Sequence, residues 1–214
     1  MICLGDIATV RAGYSFRTKL EPAVDGDTLV LQMKDISPSG EIDMRGVTRI
    51  RLGEVAAHQL QKGDLIVKAR GNLNTAGIVS GLPKATLIPA SPLLVVRVKD
   101  DKILPQYLQW YLNNPVTQSK LTATATGSYV PTVSKQSLEE MEINLLPLAD
   151  QELIIRIAEL AAKELLLRTA IARMRKDAAD RILMSFSKKS AGDVRKKGGR
   201  RGVVAPRLPD HEQS

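Results

Sequence analysis

Cysteine occurs once in these 214 residues, at Cys3, and histidine twice, at His58 and His211. One thiol cannot build an internal disulfide framework or a zinc cluster, and it suits a reducing compartment. Neither histidine has a Cys or His neighbour at ligand spacing, so no metal site is expected. No apolar run approaches the ~20 residues that a membrane helix needs. The first residues, MICLGDIATVRAG, carry Asp6 and lack a signal-peptide layout. These absences predict a soluble, cytoplasmic protein. Aromatic residues are only 3% of the chain, so a core drawn from its 43% apolar residues must rest on Leu, Ile, Val and Ala.

Signatures of catalysis are missing as well. KARGNLNTAG contains Gly71 and Gly77 but lies between strand-like runs rather than opening a helix, the context a phosphate-binding loop requires. No Asn-Pro-Pro-Tyr-type methyltransferase segment occurs, and Asn114-Pro115-Val116-Thr117 is no substitute. A nucleophilic triad would have to use His58, while the acid pairs Asp100-Asp101 and Glu139-Glu140 read as solvated surface. A non-catalytic chain with no cofactor of its own is the expectation.

Positive charge is in excess, at +8 overall. Its placement is uneven: from Lys188 to Ser214 there are eight Lys/Arg against three Asp/Glu, a net of +5. The remainder is only mildly basic. A polyanionic partner fits this balance, and SKKSAGDVRKKGGRRGVVAPRLPDHEQS, rich in Gly, Lys and Arg, reads as a disordered basic tail over 188–214.

Residues 1–147 are dominated by short strand signals. TLVLQMKDI (28–36) is β-rich and stops at Ser37-Pro38-Ser39-Gly40, a strong turn. KGDLIVKARG (62–71) places Leu65-Ile66-Val67 in a strand, with GIVSGL (77–82) as its hairpin partner. ATLIPASPLLVVRVKD (85–100) holds two more apolar runs, of which Leu93 to Val98 is the clearest buried strand. Pro105 opens a helix in PQYLQWYLNN, and Asn114-Pro115 interrupts or ends it. Ser137, three residues before Glu140, suggests a capped helical turn before Met141, Ile143 and Leu145 alternate like a strand.

Pro147 then breaks the chain, and from Asp150 to about Ser187 there is no Gly or Pro. Ala149-Asp150 supplies an N-cap, and Asp150 and Glu152 suit the positive end of the helix dipole. At ~1.5 Å per residue a helix from Asp150 to about Ser187 would span roughly 55 Å. Its d positions, Leu153, Leu160, Leu167 and Met174, alternate with a positions Ile157, Glu164, Ile171 and Ala178. Seven of these eight are apolar, the signature of a coiled-coil seam, and one helix cannot bury it alone. The fold class is therefore mixed α/β (α+β): a strand-rich domain followed by a long coiled-coil-forming helix.

Lys68, Arg70, Asn72 and Asn74 bring two cations and two amides into one inter-strand loop. Arg grips guanine edges and Asn adenine edges, while Lys holds phosphates; an ordinary Asn/Gly hairpin turn is the competing reading. Arg17 in Tyr14-Ser15-Phe16-Arg17, Lys34, Ser128, Tyr129 and Lys135 offer similar groups in or beside Gly-containing loops.

Five segments recur in a familiar order: LGDIATVRAGYSF, VLQMKDISPSGEI, KGDLIVKARG, LPQYLQWYLNNP and GSYVPTVSKQSLEEMEINLLPLADQELI. Together, over residues 3 to about 187, they resemble the specificity (S) subunits of type I restriction–modification systems. The resemblance implies a target recognition domain at 1–147, read onto double-stranded DNA, and a spacer helix at 148–187. It also implies a DNA adenine methyltransferase partner subunit, which would carry methyl transfer from S-adenosylmethionine, and an endonuclease partner in some complexes. Full-length members carry two such domains and two helices packed antiparallel; this sequence shows one of each. A second copy is the simplest source of the missing helix, and a two-fold dimer would read a two-part symmetric site. Glu164 would set register against the partner's Lys163 or Arg168, or face solvent. The alternative is a regulatory scaffold of a restriction or antiphage complex that reads no sequence itself.

Overall fold

The computed structural model describes residues 1–53, 55–126 and 130–198, with side chains described as far as residue 186. The chain divides into two compact units, Met1–Glu159 and Leu160–Ser214.

The first unit begins with a two-residue strand β1 (Ile2–Cys3), a single helical turn α1 (Leu4–Ile7) and strand β2 (Ala8–Ala12). Strands β3 (Thr28–Leu31), β4 (Thr48–Ile50), β5 (Leu65–Lys68), β6 (Ala76–Ile78), β7 (Thr86–Pro89) and β8 (Leu93–Val98) follow. Helices α2 (Pro105–Asn113), α3 (Pro115–Thr124) and α4 (Lys135–Glu139), then strand β9 (Glu142–Ile143), lead to helix α5 (Leu148–Gly198).

The central sheet is antiparallel, in the order β2-β8-β5-β6. Its two inner strands explain why LIVK and LLVVRV read as continuous apolar runs rather than alternating ones. Successive residues of a strand point to opposite faces. Leu65, Val67, Leu94 and Val96 enter a core closed by α1, α2, α3, α4 and β9. Ile66, Leu93 and Val95 enter a second core with Leu31, Leu60 and Leu87. Both faces are covered, so both parities must be apolar. A three-stranded sheet, β4-β3-β7, adds a third cluster around Val30, Ile50 and Ile88. There β3 runs parallel to β7, with Val30 opposite Ile88. Pairing between strands so distant in sequence has no local signal.

The β5–β6 hairpin and the turn at Ser37–Gly40 stand where the sequence places them; Gly40 has φ +84°, with the Ala76 carbonyl where a Cβ would sit. Asn114 both ends α2 and caps α3, its Oδ1 accepting from the Val116 N–H at 3.0 Å.

Three local expectations need correction. The cap of α4 is Ser134, not Ser137: its Oγ accepts from the Ser137 N–H at 2.9 Å, and Glu140 closes the helix. Ala149-Asp150 does not cap α5 but lies inside it: the helix starts at Leu148, and the Pro147 carbonyl accepts from the N–H groups of Asp150 and Gln151. It also runs past Ser187, with helical backbone through Gly192 to Gly198, where a disordered tail is expected; residues 199–214 of that tail lie outside the described residues.

The first unit takes in the start of α5, through Glu159, and Gln151 ties that stretch to it. Its side chain is fully buried in the first unit. The Oε1 accepts from the Leu104 N–H at 2.9 Å, and the Nε2 donates to the Lys102 and Leu146 carbonyls at 2.8 and 2.7 Å. Ile154 and Ile155 pack against the core just beyond it. The first turns of the helix therefore belong to the sheet domain. No helix among the described residues is long and apolar enough to cross a membrane.

Candidate nucleic-acid interface

The loop between β5 and β6 is built by a short extension of β5. Arg70 bridges to Thr132, the Val133 N–H donates to the Ala69 carbonyl at 2.8 Å, and Thr126 and Thr132 exchange backbone hydrogen bonds. Gly71, at φ +109° with open space around it, turns the chain outward. Arg70 and Asn72 are exposed there, and Lys135, at the start of α4, is exposed a few residues beyond Thr132. Lys135 lies 3.5 Å from Glu139 on its own helix.

The other two candidates in this loop are turned inward. Asn74 is buried, its Nδ2 donating to the Lys68 carbonyl at 2.8 Å. Gln118 of α3 clamps the Asn74 backbone from both sides, accepting from its N–H at 2.9 Å and donating to its carbonyl at 3.1 Å. The Lys68 ammonium donates to the Ile36 carbonyl, and burial pushes its pKa below the ordinary lysine value. Both residues brace the loop from within. The base of the loop is held by these bonds, whereas Arg70 and Asn72 stay open to solvent.

A second cluster adjoins the first through Pro92, whose carbonyl accepts from the Ala69 N–H at 3.0 Å. Ser15, Phe16, Gln32, Lys34, Ser91 and Pro92 line part of a cleft of about 490 Å³. Tyr14 supports Phe16 at 4.7 Å between ring centres and meets His58 edge-on at 5.1 Å. Lys34 is anchored on one side, donating to the Gly46 carbonyl at 2.9 Å and lying 3.3 Å from Asp35, yet its side chain remains 57% exposed. Arg17 is exposed on the segment that follows Phe16. Ser128 and Tyr129 lie outside the described residues.

Sequence reasoning missed the amides that hold this surface. Besides Gln118, Asn113 of α2 pairs with edge strand β6 as a strand would, accepting from the Ala76 N–H and donating to its carbonyl, both at 2.8 Å. It also missed a half-buried ion pair: the Arg97 guanidinium grips Asp64 through two bonds of 2.7 Å, which raises the arginine pKa. Beside it, burial and then the Arg97 charge lower the pKa of Arg11, which donates to the Gln59 carbonyl at 2.9 Å.

On α5, the seam residues Leu153, Ile157, Leu160, Leu167, Ile171 and Met174 are all exposed, from 49% at Ile171 to 71% at Met174. Glu164 lies 2.6 Å from Arg168 of its own helix. Leu165, Leu166, Ile182, Leu183, Met184 and Phe186 are exposed too.

A sheet domain with cationic loops, continuing into a long helix with a bare apolar seam, is the architecture against which known proteins were compared. The model of the type I restriction modification DNA specificity domain matches residues 1–164, and the chain belongs to that family. No curated protein matches it. Among solved structures, the HsdS subunit from Thermoanaerobacter tengcongensis is similar at 15% identity and a TM-score of 0.51. A structure describing complex assembly and conformational transition of the type I R-M system gives 16% and 0.54. The type I restriction-modification system S subunit from M. genitalium gives 12% and 0.52. Each alignment covers 76% of this chain but only 37–38% of the other. At these identities the likeness establishes the fold.

Proposed function

We propose that this chain reads double-stranded DNA as the non-catalytic specificity subunit of a type I-like restriction–modification complex. Adenine methylation takes place on a partner methyltransferase subunit, and an endonuclease subunit is a further partner. Arg70 and Asn72 at the loop tip approach base edges, with Arg17, Lys34 and Lys135 positioned for phosphates or bases around them. Ser128 and Tyr129 complete the set.

Two copies act together, with the helices antiparallel and one reading domain at each end, so that the target is a two-part symmetric sequence. The observation that carries this reading is the exposed seam. About four heptads of mainly apolar side chains lie uncovered along the helix, and pairing with another helix would bury them. Charge supports the antiparallel choice. Residues 148–164 hold four acids and two bases, whereas 165–186 hold five bases and two acids. Parallel pairing would set like against like, and reversal sets acidic half against basic half. The helix dipole explains only the outermost turns of such a gradient.

The test is light scattering of the purified chain, followed by duplex binding with its methyltransferase present. A dimer that binds a specific duplex is expected; a monomer that binds no duplex would overturn the reading.

A further inference from the structure

Four heptads of seam leave the register of an antiparallel pair open by whole heptads, and residues outside the seam choose between the possibilities. In such a pair an a position on one helix faces a d position on the other. All eight seam positions are matched when Leu153 faces the partner's Ala178, Ile157 the partner's Met174, Leu160 the partner's Ile171, and Glu164 the partner's Leu167. Carried one seam position further, the same register sets Asp150 against the partner's Arg181. Both side chains are exposed, and neither forms an ion pair among the described residues. A shift of one heptad instead sets Leu153 against the partner's Ile171. It then leaves Asp150 facing the partner's Met174, a charge against a thioether.

We propose that each end of the dimer is locked by an Asp150–Arg181 ion pair between copies. This rests on the antiparallel dimer proposed above and assigns its register and its end contacts. The lock ties the far end of each helix to the first turns of the other.

Cysteine pairs placed on a Cys3→Ser background test the register. Asp150→Cys with Arg181→Cys in one chain cannot bond within that chain, because the two positions lie too far apart on one helix. Under mild oxidation this double variant is expected to run as a covalent dimer on a non-reducing gel. Leu153→Cys with Ile171→Cys, which reports the shifted register, and Ile157→Cys alone, which reports parallel pairing, are expected to stay largely uncrosslinked. Charge reversal gives an independent measurement: Asp150→Arg should weaken the dimer about tenfold, and adding Arg181→Asp should restore it. Preferred crosslinking of either control, or no rescue by the second reversal, would overturn the lock while leaving dimerisation intact. A wild-type monomer by light scattering would remove the dimer and the lock together.

Discussion

Arg70 and Lys68 are two residues apart and chemically alike, yet the fold gives them opposite tasks. Arg70 is exposed on a loop whose backbone is pinned by Thr132, whereas the Lys68 ammonium is spent on the Ile36 carbonyl. Arg70→Ala is therefore expected to weaken specific duplex binding by roughly 10- to 100-fold, about 1–3 kcal/mol, with unchanged thermal stability. Lys68→Ala should do the reverse, costing about 1 kcal/mol of stability while the folded protein keeps its DNA affinity. Calorimetry beside a binding titration separates the two outcomes, and equal loss of affinity from both would contradict the division of labour. Asn74 belongs with Lys68: the clustering of polar residues in KARGNLNTA is plain from the sequence, but which of them face inward depends on Gln118, a contact across forty-four residues that no local pattern announces.

Among the elements, what could be read from sequence is what local physics dictates. The apolar runs of β5 and β8 announce strands covered on both faces, and Asn114-Pro115 announces the join of α2 and α3. Ile66→Ala should cost about 2–5 kcal/mol in a chemical denaturation, since its side chain is fully enclosed by the second core. Three things escaped. The parallel β3–β7 pairing is long-range, and the cap of α4 is Ser134 rather than the Ser137 that the spacing to Glu140 suggests. The start of α5 depends on Pro147 and on Gln151, whose amide meets three backbone groups only after folding. Gln151→Ala would leave those groups unpaired in a buried site, at an expected cost of about 1–3 kcal/mol, and would loosen the first turns of the helix. Hydrogen exchange at Leu104 and along 148–155 would report that loosening; unchanged protection would contradict the clasp.

For the whole molecule, the seam and the reading surface are separate and should fail separately. Leu160→Asp puts a charge into the centre of the proposed helix pair, yet Leu160 is already exposed in the single chain. It should abolish dimerisation while leaving the melting of the sheet domain unchanged; a dimer that survives this change would contradict pairing through the seam. Arg70→Ala, conversely, should leave the dimer intact. A regulatory scaffold that reads no sequence would show the opposite sensitivity, tolerating loss of Arg70 and failing with Leu160.

The central claim is that this chain selects the sequence its methyltransferase modifies. Genome-wide mapping of methylated adenines tests it most directly, in cells that carry the methyltransferase subunit of the same system with and without this chain. The account predicts a two-part, self-complementary methylated motif that is present with the chain and vanishes without it. The same motif, methylated to the same extent in its absence, would contradict the account.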